Sequence, residues 1–552
     1  CIHSLTLCCV EYPMSLTRLL PQIILKLSQI MSTSTISIHI LEFLSLLVTL
    51  PDLYSNFVED NFKRVLGISI QYIQYHMGNS NNQQNTQINQ VYLQYVLNMA
   101  YQVISIWLTR IRASDQPKYV PFLVRGLLLA NKGRSSLDEQ TITCLDMISR
   151  YSFCDSDSVL PSWDLIKDKL FTSNAMLGQS SYWIFGDTII QINLSKTGFG
   201  EVKIRSSSAL TTLVKRIEDY NADLPKPNDP EETEQDESTL KIKINETNYL
   251  DIHQSMLKDA IAKYKGPGEL MQSKTDISPL PRPKLHQIIQ PDEGILRGIS
   301  VLDRMPTVDF HKIGVVYAGP GQTHEKDILA NSIGSSNYQK ILHSLGNLVR
   351  LKQLKGTYTG GLDTEMDLDG KYAYSWSDGL TQLIFHAATL MPTRLKYDPQ
   401  CNAKKRHIGN DYVSIVYNDS GRDYKFDTLP GQFNLVNIII TPLFEESNQT
   451  DQISPNANDS SFEQFKPNLN EIFRVETQFR SDINHLSPLV NAKVVTGPSV
   501  APLVRQVALN CSIFTQIYLK PNNYSTNWTE RYRQIGRVKE RVSSSPMSPT
   551  SQ

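Results

Sequence analysis

The chain has 552 residues, of which 40% are apolar, and its 54 basic and 55 acidic side chains leave a formal net charge of −1. This is ordinary globular composition for roughly two to four domains, which excludes wholesale disorder and fibrous repeats; without a global basic field the chain is not a general nucleic-acid binder. The seven cysteines are odd in number and show no Cys-x-x-Cys spacing, which argues against a disulfide scaffold or structural zinc site and fits a reducing compartment. Residue 1 is Cys rather than Met, so the stretch reads as part of a longer protein.

Residues 1–175 read as stacked helices. Leu16, Leu20, Ile23, Leu27 and Ile30 recur at helical spacing with Pro21 in their midst, as do Leu41, Leu44, Leu47 and Leu50. The apolar run over 36–50 is interrupted by His39 and Glu42 and is short for a membrane span, so it reads as a core helix. Further periodic segments lie near 59–78, 90–112, 117–131 and 139–152. Helix after helix with short connectors predicts an α-solenoid of the HEAT type; an irregular helical domain is the alternative, since no clean period emerges.

Residues 176–220 form a small β-containing element: 182–194 and 201–206 flank a Lys196-Thr197-Gly198 turn as a hairpin, and 211–220 reads as a short helix. Residues 221–291 read as an acidic, proline-rich and largely disordered linker, with Asp229, Glu231, Glu232, Glu234, Asp236 and Glu237 beside Pro225, Pro227 and Pro230. From Gly294 the texture becomes α/β. A strand over 312–317 ends in Gly319-Pro320-Gly321, a helix covers 338–349, and 357–361 and 371–376 read as strands. An amphipathic helix is predicted over 378–390, strong strands over 412–417 and 432–441, and a long helix over 502–519 with its proline at the first position. Residues 543–552 form a disordered Ser/Pro tail. The expected architecture is multidomain: an N-terminal all-α HEAT-like solenoid, a small β-rich element with an acidic linker, and a C-terminal α/β domain over 292–542.

Several chemical motifs fail on inspection. Gly319-Pro320-Gly321 follows a strand as phosphate loops do, but GxxxxGK[ST] is missing and Pro320 removes a donor, so a structural turn is expected. Glu365, Asp367, Asp369 and Gly370 imitate the start of a calcium loop that has Trp376 where its closing Glu belongs. Cys401 and His407 lack further metal ligands, and His386 on its predicted apolar helix reads as a core histidine. One segment stands apart: Lys404-Lys405-Arg406-His407-Ile408-Gly409-Asn410-Asp411, running straight into a strand. If it is helical, His407 and Asn410 share a face at i and i+3. A cationic rim suits an anionic partner, and a carboxamide can orient a water but performs no proton chemistry. A solvated loop is the alternative. The basic residues over 528–542, with Trp528, Ile535, Val538 and Val542 on one face, predict a terminal helix packed on the domain; a membrane or calmodulin-type helix is the other reading.

The run from Arg406 through Gly421 resembles the catalytic segment of the Rap/Ran-GAP family. The likeness continues in His311-Lys312-Ile313-Gly314-Val315-Val316-Tyr317, Gly360-Gly361-Leu362-Asp363, Phe385-His386-Ala387-Ala388-Thr389-Leu390-Met391-Pro392-Thr393 and Gly431-Gln432-Phe433-Asn434, covering roughly 292–542. The resemblance implies a GTPase-activating domain that works through an asparagine thumb at Asn410, with His407 supporting the thumb or contacting the GTPase. It implies that Lys404, Lys405, Arg406 and Asp411 bind the GTPase, and that GTP and Mg²⁺ belong to that partner, so the chain needs no cofactor or metal of its own. The implied partners are a small Ras-like GTPase of Rheb or Rap type and a hamartin-like subunit. The implied setting is negative regulation of TOR growth signalling in the cytoplasm, with peripheral association at lysosomal or vacuolar membranes. The alternatives are a catalytically silent scaffold of the same fold and an unrelated helical-repeat adaptor.

Overall fold

The computed structural model describes residues 1–30, 33–79, 87–153, 176, 179–216, 254–258, 261, 284–288, 291–443, 467–483, 487–521 and 523–544. Most of the expected linker over 221–291 and nearly all of the Ser/Pro tail lie outside the described residues. The chain divides into two compact units, each made from two separate stretches: Cys1–Arg110 with Val308–Tyr524, and Ile111–Thr307 with Ser525–Gln552. This division is not the linear one expected from the sequence.

In the first unit the chain opens with α1 (Ile2–Glu11), α2 (Pro13–Leu27), α3 (Ser34–Leu47), α4 (Glu59–Asn79) and α5 (Gln87–Arg110). The inward stripe of α2 is Leu16, Leu20, Ile24 and Leu27, at the spacing that one helix face requires, with Pro21 inside the helix. The α3 helix is buried nearly all round, including Glu42. The Tyr95 hydroxyl lies 2.9 Å from Glu42 Oε1 and 3.3 Å from the carbonyl of Asn510, so Tyr95 of α5 links α3 to a helix some 400 positions later in the chain. The Glu11 carboxylate also accepts the Thr496 amide at 2.9 Å. The chain order is helical and then α/β, as expected, and these N-terminal helices fall in one compact unit with the α/β region.

The second unit contains α6 (Val120–Ala130), α7 (Glu139–Phe153), β1 (Ser181–Phe185), β2 (Thr188–Leu194), β3 (Phe199–Arg205), β4 (Leu210–Arg216), β5 (Leu285–Ile288) and α8 (Glu293–Arg304). The strands form an antiparallel sheet in the order β4-β3-β2-β1-β5. β4 stands where a short helix was expected: its Thr and Val residues are β-formers, and pairing Leu213 to Val202 of β3 outweighs the local helical pattern. β5 corrects part of the presumed linker, pairing Ile288 with Tyr182. One sheet face buries Trp183, Phe185, Ile190 and Ile192, and the other packs Tyr182, Ile184 and Ile189 against Ile295, Ile299 and Leu302 of α8 and Ile535 and Val538 of the C-terminal helix, Asn527–Ser544. The apolar face of that terminal helix is thus occupied within the unit. Its Arg531 is 1% exposed, and its guanidinium donates to the carbonyls of Ser206, Ser207, Ala209, Leu302 and Met305 at 2.8–3.3 Å.

Returning to the first unit, the α/β region comprises β6 (Asp309–Ala318), α9 (Glu325–Ala330), α10 (Ser336–Leu345), β7 (Asn347–Arg350), β8 (Tyr372–Ser377), β9 (Thr381–Ala387), α11 (Asn402–Ile408), β10 (Val413–Asn418), β11 (Val436–Pro442), β12 (Ile472–Phe479), β13 (Lys493–Thr496) and α12 (Gly497–Leu519). The sheet order is β13-β12-β11-β10-β6-β9-β8-β7, and the four central strands β11, β10, β6 and β9 run parallel. Parallel strands covered on both faces are continuously apolar, as Val413–Asn418 is buried throughout. The same burial corrects the expected amphipathic helix over 378–390. Residues 381–387 are a fully buried strand with no alternation to betray it, entered through a turn in which the Asp378 carboxylate accepts the amides of Leu380 (2.8 Å) and Thr381 (2.7 Å). Residues 357–361 form a loop, not a strand, and the helix expected over 338–349 stops at Leu345, where β7 takes over. The α12 helix begins five residues earlier than expected, with Pro498 in its first turn and Pro502 inside it.

Candidate functional site

The α11 helix is short and held at both ends. Cys401 precedes it in the left-handed region (φ 52°), and the Asp398 carboxylate accepts the Ala403 amide (2.8 Å) and the Asn402 side-chain amide (3.0 Å). The backbone amides of Ala403 and Asn402, helped by the Asn402 side chain, hold the Asp398 carboxyl below its ordinary range. Cys401 and Ile408 sink into an apolar cluster with Val316, Ala318, Val416 and Ile439 of β6, β10 and β11. At the far end the Gly409 backbone crosses that of Gly431, where a Cβ would lie 3.2 Å from the Gly409 carbonyl oxygen.

This seating divides the basic rim. Lys404 is 1% exposed and donates to the Asn331 carbonyl at 2.9 Å, so it does not reach a docking surface as expected. Burial lowers its ammonium to about 8, with only partial opposition from Cys401. Lys405 is half-buried and pairs with Glu325 at 2.8 Å. Arg406 is exposed, 3.5 Å from Asp369 Oδ1. Asp411, also expected at the docking surface, is fully buried, in helical phase with the buried Lys404 and Ile408 of α11.

Asn410 is exposed just beyond the helix end. Its Nδ2 donates to the Arg406 carbonyl at 2.7 Å, and its amide donates to the His407 carbonyl at 3.1 Å. Only the NH₂ of a carboxamide can face a carbonyl, which fixes the orientation of the group. Among the described residues its Oδ1 accepts no hydrogen bond, so an oriented acceptor faces solvent. His407 lies inward, with Nε2 3.0 Å from Asp369 Oδ1; burial holds its imidazole below the ordinary value against the opposing pull of Asp369. Behind both stands His386, which is on β9 and not on a helix, with Nδ1 2.8 Å from Asp411 Oδ2 and Nε2 3.4 Å from the Thr359 carbonyl.

Nothing in this arrangement assembles a metal centre: among the described residues no group of three or more His, Cys, Asp or Glu is placed to hold one. Of the acidic loop that imitates a calcium site, Asp363 accepts the amides of Glu365, Met366 and Leu368 at 2.8–3.1 Å, which is a loop cap.

Residues 328–537 match the family model described as Rap/ran-GAP, and residues 1–114 match the one described as Tuberin. The chain carries a Rap/Ran-GAP domain. It is 34% identical, over 99% of its length, to the Tuberous sclerosis 2 protein homolog of Schizosaccharomyces pombe, and covers 38% of that protein. It is 28% identical over 41% of its length to the human Ral GTPase-activating protein subunit alpha-1, covering 10% of it. A solved structure of the TSC2 GAP domain is 42% identical, with a TM-score of 0.32, and the match covers 38% of this chain and 99% of that one. The chain thus spans well under half the length of the two curated relatives. Among the described residues no helix is long and apolar enough to cross a membrane.

Sequence reasoning singled out Asn410 and His407 but not the residues packed around them. Asp369 comes from the loop after β7, and Gly360 of the same loop has φ +68° and leaves no room for a Cβ against His386 Nε2. Their signal was limited to a Gly-Gly pair and an Asp-Gly turn, neither of which names a partner.

Proposed function

We propose that this chain accelerates GTP hydrolysis on a small Ras-like GTPase, of Rheb or Rap type, with Asn410 acting as the thumb that enters the partner's nucleotide site. One observation carries the reading: an exposed carboxamide whose donor is tied back to Arg406 and whose oxygen is free to accept from a water. Phosphoryl transfer needs positioning and charge stabilisation more than covalent chemistry, and an acceptor that holds the attacking water in line supplies positioning. Full GTPase activation is about 10⁵-fold, or about 7 kcal/mol of barrier, more than one hydrogen bond provides. Exclusion of water and ordering of the partner's switch segments contribute the remainder. Arg406 supplies the cationic rim, and GTP with its Mg²⁺ arrives on the partner. The family resemblance extends the proposal to a hamartin-like subunit, restraint of TOR growth signalling, and a cytoplasmic setting with peripheral association at lysosomal or vacuolar membranes.

The test is single-turnover hydrolysis by GTP-loaded Rheb-, Rap- and Ral-type GTPases with the full chain added. At least one should be stimulated, and Asn410→Ala should remove on the order of 10²–10³-fold of rate, the scale for deleting one transition-state contact. If the wild-type chain stimulates none of them, it is a scaffold; if stimulation survives Asn410→Ala, the water is positioned by another group.

A further inference from the structure

We infer that His386 and Asp411 form a buried strut that positions Asn410, so that catalysis depends on a histidine that does not itself reach the partner. The inference rests on the reading of Asn410 as the thumb. Asn410 is bracketed in sequence by two His–Asp pairs: His407, three residues before it, reaches Asp369 at 3.0 Å, and Asp411, directly after it, reaches His386 at 2.8 Å. The two rings meet edge to face with centroids 5.4 Å apart. His386 and Asp411 are both fully buried, and Asp411 shares a peptide bond with Asn410, so fixing its carboxylate fixes the plane from which the thumb projects.

The surroundings are shaped around this pair. Gly360 removes the Cβ that would strike His386 Nε2, and its neighbour Thr359 turns a carbonyl toward the same nitrogen at 3.4 Å. Gly314 of β6 clears the opposite side, where a Cβ would lie 3.5 Å from Asp411 Oδ2 and 2.9 Å from Ser414 Oγ. The other carboxylate oxygen, Asp411 Oδ1, has Lys312 Nζ at 3.5 Å and no hydrogen bond. A carboxylate buried with an imbalance of this kind is a costly way to fill space, since an apolar pair of similar volume would hold a strand end as well. What the pair provides is direction: a charge-assisted hydrogen bond has a preferred line, which apolar packing lacks.

His386 and Asp411 are therefore positioning residues, and their effect should fall on the turnover step. In hydrolysis assays with the full chain, varying the concentration of GTP-loaded GTPase, His386→Leu should lower kcat by at least about tenfold with KM unchanged, the pattern of an interaction that acts only in the transition state. His386→Asn, whose Nδ2 lies near the place of ring Nδ1 and can still donate to Asp411, should recover kcat to within about threefold of wild type. If His386→Leu fails to fold, Asp411→Asn carries the test: it keeps the shape, loses the charge, and should lower kcat at least about threefold at constant KM. Wild-type kcat in a folded His386→Leu or Asp411→Asn protein overturns the inference, as does an effect confined to KM, or a His386→Asn protein as slow as His386→Leu. If Asn410→Ala itself leaves kcat intact, it is the thumb reading that fails, and the two failures are distinguishable.

Discussion

Replacing Gly360 by alanine imposes two separable costs. At φ +68° an L-residue sits in the left-handed region, which costs about 1–2 kcal/mol. The new Cβ also meets His386 Nε2 inside contact distance and stands 2.9 Å from its Cε1 and 3.0 Å from Ile384 Cγ2. Neither neighbour yields easily, because His386 is fully buried and tied to Asp411 and Ile384 is fully buried in β9; overpacking of this kind adds about 1–3 kcal/mol. Gly356 is the control: it lies in the same loop at φ +73°, and a Cβ there would have nothing within 4 Å, so Gly356→Ala bears only the backbone cost, partly offset by about 0.4–1 kcal/mol of lost unfolded-chain entropy. Urea unfolding followed by circular dichroism should place Gly360→Ala lower in stability than Gly356→Ala by about 1–3 kcal/mol, the overpacking component. GTPase stimulation should fall only in Gly360→Ala, since His386 must move. Equal destabilisation by the two substitutions would refute the claim that His386 is wedged against this glycine.

Lys404→Met should abolish a pH dependence. The folded-state value of about 8 lies below the unfolded value near 10.4, so between them the unfolded chain binds more protons and stability rises with pH. Unfolding measured from pH 7.5 to 10 should show wild type gaining on Lys404→Met as pH increases; a constant difference contradicts the assignment. Arg406→Ala should slow GTPase association by about three- to tenfold at low ionic strength and by little at high salt, whereas Lys404→Ala should leave association unchanged, as surface plasmon resonance across a salt series would show. Arg531→Met should destabilise the second unit by at least about 3 kcal/mol, because five carbonyls lose a buried cationic donor; a urea midpoint within error of wild type would exclude that role.

How much of this was legible depends on whether the partner of a residue lies near it in the chain. β10 and α3 were readable because their own residues carry the pattern. β12 is readable in principle, since Phe473, Val475, Thr477 and Phe479 are its buried positions in strict alternation. β9 was not, because a strand buried on both faces has the composition of a buried helix, and only its neighbours β6 and β8 decide the matter. Glu42 inside an apolar run announces a buried polar partner but cannot say that Tyr95 and, beyond it, Asn510 supply the contacts. The pairing of His386 with Asp411 is hidden for the same reason.

The division of the basic rim is a different case, because its signal was present. Cys401, Lys404, Ile408 and Asp411 are spaced by three, four and three residues, which is one face of a helix, and Cys401 and Ile408 are its apolar anchors. The complementary set, Ala403, Arg406 and Asn410, is spaced by three and four residues and is exposed throughout. Reading Lys404, Lys405 and Arg406 as one cationic patch treats charge as a property of a segment, whereas helical phase makes it a property of a face. By phase, Asn410 shares its exposed side with a single cation, Arg406, and the two remaining lysines are engaged by Asn331 and Glu325. A partner docking over Asn410 therefore meets, from this segment, one exposed guanidinium beside a neutral amide.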